Sequence, residues 1–299
     1  MNRTAFLSWL VNASLASGPL AKVGLHVSIS GTIDQAVDRA RELTCDTFQI
    51  FTRNPRGWRY KKLAKEEVNE FRRKLAADAL MPVVAHMPYL PNLSSPKRAI
   101  YSRSVKSLSG ELNRCNILGL QYLVTHLGSH MGAGQDVGLE RITGAINSAI
   151  AENPSDVMLL MENTAGTKNS MGSSFEDLRR ILARVDDRSR VGICFDTAHA
   201  YAAGYDLHSP RGVDETLERF NSILGFNTLK VIHLNDSQGG LGSGRDRHEH
   251  VGIGYIGEKG FRAFLKHEAI RGLPLILETP IDERRDQLGD LRKVRELSA

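Results

Sequence analysis

The sequence has 299 residues, 41% of them hydrophobic and 24% charged, which allows one large buried core and excludes global disorder. A net charge of +5 and an isoelectric point near 9.1 lean toward a polyanionic partner without requiring one. Cys45, Cys115 and Cys194 are scattered, with no C-x-x-C pair, which argues against a disulfide framework and fits free thiols in a reducing, cytoplasmic compartment.

Residues 1–21 are mildly apolar between Ala5 and Ala16 but are interrupted by Ser8, Asn12 and Ser14. They read as an N-terminal extension to a single domain over 22–299 rather than as a signal peptide, and no apolar run reaches the ~18 residues of a membrane helix. From Lys22 onward the chain alternates between two periods. Strand-like runs are predicted at 23–29, 47–52, 83–86, 122–126, 157–162, 192–196, 230–234 and 275–278. Amphipathic helical segments follow them at 32–43, 65–80, 96–118, 139–151, 175–185, 213–224, 259–268 and 286–297. Ser94 and Ser95 before Pro96 suit a first-turn proline, and Ser173 and Ser174 before Phe175 and Glu176 give a cap and an acidic first turn. Strict strand–helix alternation argues for one parallel sheet, and eight units are the number that closes a (β/α)8 TIM barrel, an α/β fold. A doubly wound open sheet is the rival. Its first turn would usually be a Gly-rich phosphate loop, whereas here it reads Ser28-Ile29-Ser30-Gly31.

Barrel enzymes work at the C-terminal ends of their strands. Read at that end, the third to eighth strands offer His86, His126, Glu162, Asp196, His233 and Glu278 in order. Carboxylates buried together repel each other, and bound cations remove that cost. Asp196-Thr197-Ala198-His199 adds a further ligand candidate from the following loop. Asp246-Arg247-His248 adds two more, two residues apart, so that in an extended segment both side chains point the same way. Mixed imidazole and carboxylate donors suit zinc, with manganese or iron(II) as substitutes. Nine candidates exceed one tetrahedral ion, so two or three ions sharing a bridging carboxylate are expected. Such a cluster suits phosphoryl chemistry, activating water and stabilising the pentavalent state and the leaving alkoxide.

Between Val23 and Glu278 the chain also resembles the endonuclease IV family of zinc-dependent apurinic/apyrimidinic (AP) endonucleases. The resemblance rests on Gly24-Leu25-His26-Val27-Ser28, Phe51-Thr52-Arg53-Asn54-Pro55-Arg56, His86-Met87-Pro88-Tyr89 with Asn92-Leu93, and His126-Leu127-Gly128-Ser129-His130. It continues through Glu162-Asn163-Thr164-Ala165-Gly166, Asp196-Thr197-Ala198-His199 up to Asp206, His233-Leu234-Asn235-Asp236-Ser237, and Asp246-Arg247-His248. It implies a barrel with three zinc ions: one on His86, His126 and a bridging Glu162; one on Glu162, Asp196, His233 and Glu278; and one on His199, Asp246 and His248. Glu162 and Glu278 are the expected catalytic carboxylates. The implied reaction is cleavage of the phosphodiester 5′ to an abasic site in duplex DNA, leaving a 3′-hydroxyl and a 5′-deoxyribose phosphate. Arg56 and Tyr89 match family residues that enter the helix at the lesion, where a planar side chain can fill the missing base's place. Trp58 and Arg59 are weaker candidates in the same loop, and Lys97, Arg98 and Arg103 are equally well read as a solvated helix face. Leu127, where many relatives have proline, and Ile253, where a polar residue is common, depart from the pattern. His26 is a candidate for supporting an ion rather than holding one, and His130 and His250 carry no assigned role.

Two other readings stay open on sequence. A sugar isomerase or epimerase on a related barrel would need only the Glu162, Asp196, His233 and Glu278 subset, leaving the other histidines, Asp246, Arg56 and Tyr89 without a task. A non-catalytic binder of damaged DNA would have no use for a full ligand set. The expected enzyme is a monomer with no membrane partner.

Overall fold

Short runs of Val, Ile, Leu and Phe buried on both faces form the strands, as parallel strands require when helices cover one face and the sheet closes on the other. A computed structural model describes residues 21–299, so the extension expected before residue 22 lies, Ala21 apart, outside the described residues. The strands are β1 (Lys22–His26), β2 (Thr47–Phe51), β3 (Val83–His86), β4 (Tyr122–Thr125), β5 (Met158–Glu162), β6 (Val191–Asp196), β7 (Leu229–His233), β8 (Asp236–Ser237), β9 (His248–Glu249) and β10 (Pro274–Leu277). All but β8 and β9 close into a parallel barrel in chain order, β10 pairing with both β7 and β1. The two short strands form an antiparallel ribbon in the loop after β7. The helices are α1 (Gln35–Glu42), α2 (Lys65–Asp78), α3 (Arg98–Leu118), α4 (Gln135–Glu152), α5 (Phe175–Leu182), α6 (Thr197–Ala202), α7 (Pro210–Ile223), α8 (Gly257–Lys266) and α9 (Gln287–Ser298). The closed (β/α)8 barrel is therefore the fold, and the open sheet is excluded.

Some boundaries differ from expectation. Ser174 does cap α5, accepting from Asp177 N at 3.2 Å. Helix α3, however, begins at Arg98 rather than Pro96, because Ser95 Oγ accepts from Lys97 N at 3.2 Å and forms a turn ahead of the helix. Helix α7 begins at Pro210, three residues earlier than its apolar pattern suggests, with Ser209 capping Gly212 N. The segment after Asp196, expected as a loop, is the short helix α6. Its alanines favour helix, and its complete burial removes the amphipathic stripe by which helices are read from sequence.

Residues two apart on a strand share a face, and this places the site. Val84, Val124, Leu160, Cys194, Val231 and Ile276 form a separate fully buried cluster inside the barrel. Each lies two residues before one of His86, His126, Glu162, Asp196, His233 and Glu278. The metal-competent layer thus rests on an apolar plug that closes the barrel beneath it, while the larger core fills the space between strands and helices.

Candidate metal centre

Glu162 lies at the middle of the barrel mouth and is fully buried. Its Oε2 is 3.2 Å from His86 Nε2 and 3.3 Å from His126 Nδ1, and its Oε1 is 3.1 Å from His233 Nδ1 and 3.3 Å from His199 Nδ1. His233 Nδ1 is also 3.3 Å from Glu278 Oε2 and 4.0 Å from Asp196 Oδ2. On the other side of Asp196, His248 Nε2 is 3.6 Å from Asp196 Oδ2 and 3.9 Å from Asp246 Oδ1, which is itself 3.1 Å from His199 Nε2. Three groups have ligand atoms all within 4.8 Å of one another: His86, His126 and Glu162; Glu162, Asp196, His233 and Glu278; and Asp196, His199 and His248. Glu162 links the first two groups. Asp196 links the last two, a position the sequence reading did not give it. Asp246 approaches His199 and His248 from an exposed loop.

The protons decide what this arrangement can hold. A carbonyl oxygen only accepts, so His86 Nδ1 donates to Met87 O (2.7 Å), His199 Nδ1 to Asn163 O (3.0 Å) and His248 Nδ1 to Glu278 O (3.3 Å). Each ring then turns its bare nitrogen toward carboxylate oxygens, lone pair against lone pair, and His248 Nε2 is buried with no hydrogen-bond partner. A positive charge between them, a proton or a metal ion, makes that geometry favourable. Protons on several rings at once crowd like charges together. The rings of His126, His86 and His233, and those of His126, His199 and His248, follow one another at centroid separations of 5.1–5.9 Å, where imidazoliums repel. Burial pushes the Glu162 carboxyl up, yet His126, His233 and His199 around it hold it well below the usual carboxylate range. Burial likewise pushes Glu278 up, and the charge of the adjacent His233 brings it well below. Against the pull of burial, the neighbouring carboxylates in turn hold His199 and His233 well above the usual imidazole range, so protons and metal ions compete for the same nitrogens. With the rings neutral, the site offers anionic carboxylates and bare imidazole nitrogens, a donor set that fits divalent zinc-like ions.

The loops around this centre form a groove of about 1040 Å³ lined by His26, Phe51, Arg56, Tyr89, Ile281 and Gln287, beside a smaller cavity that reaches His86, His126, His248 and Glu278. Tyr89 is 62% exposed, with its ring edge-on to Phe51 at 5.1 Å. Its backbone N donates to Pro55 O at 3.2 Å, which ties the Tyr89 loop to the Arg56 loop. Arg56 is exposed and its side chain makes no hydrogen bond among the described residues, whereas the Arg103 guanidinium lies 4.4 Å over the Trp58 ring. Arg59, Lys97 and Arg98 are exposed. His250 is buried between Asp290 and Asp282, and His130 Nδ1 accepts from Gly132 N and Gly134 N, so both have structural partners. Leu127 is buried and Ile253 is exposed.

Comparison with known proteins places this architecture. Residues 37–297 match a family model described as a xylose isomerase-like TIM barrel. A protein of Methanoculleus marisnigri named "Probable endonuclease 4" is 57% identical over 277 residues, covering 92% of this chain and 98% of its own length. The chain belongs to the endonuclease IV family. Among solved structures, endonuclease IV from Thermus thermophilus superposes with a TM-score of 0.83 at 36% identity, covering 92% of this chain and 98% of its own. A D-tagatose 3-epimerase-like protein superposes at 0.72 with 17% identity over 92% of this chain and 96% of its own, a likeness of fold alone. Endonuclease IV membership makes the chain a nuclease-type hydrolase and removes the sugar isomerase reading. Among the described residues, no helix is long and apolar enough to cross a membrane.

Within this endonuclease IV chain, several supporting residues carried no signal of their own in the sequence. Asn163 bridges the Asp196 backbone, and Asn235 Nδ2 donates to Asp196 Oδ2 at 2.8 Å while its Oδ1 accepts from Glu278 N. Each follows a strand-end ligand candidate by one or two residues, and that spacing is the clue that could have found them. Beneath the Arg56 loop, buried Glu111 on α3 accepts from Thr52 Oγ1 and Arg53 Nε, and Arg114 reaches Thr52 and Lys61 O. A cation and an anion on one helix face look like solvated surface until the loop from β2 is folded over them.

Proposed function

We propose that the chain is a DNA-repair AP endonuclease that hydrolyses the phosphodiester 5′ to an abasic site in duplex DNA, leaving a 3′-hydroxyl and a 5′-deoxyribose phosphate. One observation carries the reading: overlapping ligand groups, linked by Glu162 and Asp196, form the floor of a groove whose rim presents an unpaired Arg56 beside an exposed Tyr89. The expected complement is three zinc ions, with manganese or iron(II) as substitutes, on His86, His126, Glu162, Asp196, His199, His233, Asp246, His248 and Glu278. Bound there, they would supply Lewis acidity at the scissile phosphate and a lowered pKa for attacking water. Glu162 and Glu278, held anionic in burial, serve as the reaction's carboxylates. Tyr89 and Arg56 stand where a base is missing, so the unstacking cost is smallest at the lesion and the planar groups fill the gap. The proposed enzyme works as a monomer inside the cell on chromosomal DNA.

The test is direct. Purified protein should carry close to three metal equivalents by elemental analysis and nick a duplex containing one abasic analogue in an EDTA-sensitive way. Metal-loaded protein that leaves that duplex intact would sink the nuclease chemistry proposed. Glu162→Gln should abolish incision and weaken two ion sites together.

A further inference from the structure

Six barrel strands supply metal-competent side chains to the mouth. The other two, β1 and β2, supply His26 and Gln49, each two residues beyond an inward position at Gly24 and Thr47. Gln49 is fully buried and sits between two of the proposed ligands. Its Oε1 is 2.8 Å from His233 Nε2, and its Nε2 is 2.7 Å from Glu278 Oε1 and 2.9 Å from His26 Nδ1.

Donor and acceptor chemistry fixes the direction of this amide. An ionised carboxylate only accepts, so the amide NH2 must face Glu278 and the amide oxygen must face His233. That oxygen also only accepts, so His233 carries its proton on Nε2. In the neutral ring its Nδ1 is bare, 3.1 Å from Glu162 Oε1 and 3.3 Å from Glu278 Oε2. The second amide N–H donates to His26 Nδ1, which puts the proton of that ring on Nε2, an atom with no other partner. The 3.3 Å approach of His26 Nδ1 to Glu278 Oε1 is then a pair of acceptors sharing one NH2 donor, not a bond between them.

We propose that Gln49 is a positioning residue of the metal centre: its single amide sets the His233 tautomer and occupies Glu278 Oε1, reserving His233 Nδ1 and Glu278 Oε2 for an ion. Backbone carbonyls do the same for His86, His199 and His248, but His233 has no carbonyl at its outer nitrogen and depends on a side chain. The task explains the residue type. A carboxylate at position 49 would face Glu278 with like charge, and an apolar side chain would leave both groups free to turn. The inference rests on the metal reading given above.

Two variants of the full chain test it, with ion retention during chelator competition and the His233 tautomer as readouts. The tautomer is read from imidazole 1H–15N correlations on metal-stripped protein at alkaline pH, where the ring is neutral. Wild type should show the proton on Nε2. Gln49→Met should keep wild-type circular dichroism, lose the single tautomer, and hold the ion at His233 about 10–100-fold more weakly, the usual cost of losing such a partner. Gln49→Glu, which still accepts from His233 but repels Glu278, should keep the tautomer and lose retention, so the inference stays testable if the methionine variant does not fold. Wild-type retention in both variants, or a wild-type His233 protonated on Nδ1, overturns it. A wild type that binds no ion at all refutes the metal reading, and this inference with it. That outcome is distinct from a wild type that binds ions equally with and without Gln49.

Discussion

Glu111→Ala should weaken the protein far from the metals and reveal what holds the Arg56 loop. The carboxylate is fully buried, as is its partner Arg53, whose other bonds go to Gly57 O and Ser107 Oγ. Removing Glu111 leaves a buried guanidinium without its anion and Thr52 Oγ1 without its acceptor. Breaking one partner of such a pair costs about 3–5 kcal/mol, because the remaining charge stays desolvated. An unfolding entropy of ~2.1 cal/mol/K per residue over residues 21–299 converts this to a fall in Tm of about 5–9 °C. Urea and thermal unfolding would measure it, and elemental analysis should show metal content unchanged, since no ligand candidate lies in the loop. Affinity for an abasic duplex should fall as well, because Arg53 and Arg114 anchor the chain on both sides of Arg56. The double variant Arg53→Met with Glu111→Leu should recover most of the loss, as apolar replacement of a whole buried pair is often neutral. A single variant within ~1 kcal/mol of wild type would refute this account, since that is the range of an exposed pair.

Arg56→Ala and Tyr89→Ala should reduce binding to an abasic duplex while leaving metal content and Tm unchanged; equal metal loss in these and in Glu162→Gln would contradict the division of roles. Gly24→Ala should abolish soluble folding or lower Tm severely, because the added Cβ would lie 1.7 Å from Thr47 O across the β1–β2 pairing, too close for any rotamer to relieve. Stripping the ions should lower Tm and adding zinc should restore it. Ions that bind only the folded state add roughly 4 kcal/mol at a thousand times their dissociation constant, so an unchanged Tm on stripping would mean that the native state holds none.

The barrel was readable because its strands are short apolar runs, and each of the eight predicted runs overlaps a barrel strand. The layer of titratable groups was readable for a related reason. A two-residue period puts His86 above Val84 and Glu162 above Leu160, so the last inward residue of each strand could be picked out by eye. What escaped was whatever depends on partners distant in sequence. Gln49 shares the inward facing of Glu162 but sits mid-strand and is uncharged, and its meaning appears only when His233 and Glu278 close around it. Arg53 and Arg114 look like surface cations until Glu111 and Thr52 are folded against them. Helix α6 was missed because its six residues are all buried and leave no polar face to mark a period.

Asp196 has a consequence for which elements can enter the site. Its Oδ1 accepts from His199 N at 2.7 Å in the first turn of α6, its Oδ2 accepts from Asn235, and its backbone is clasped by Asn163. A carboxylate tied on every side cannot swing outward to greet a larger guest. The cage is therefore a ruler. Zinc-sized ions, with bonds of about 2.0–2.2 Å to nitrogen and oxygen, are the proposed guests. Calcium, needing six to eight oxygens at about 2.3–2.6 Å, would have to spread walls that the barrel holds fixed. On the metal reading proposed above, selectivity would come from rigidity, ahead of any difference in intrinsic affinity.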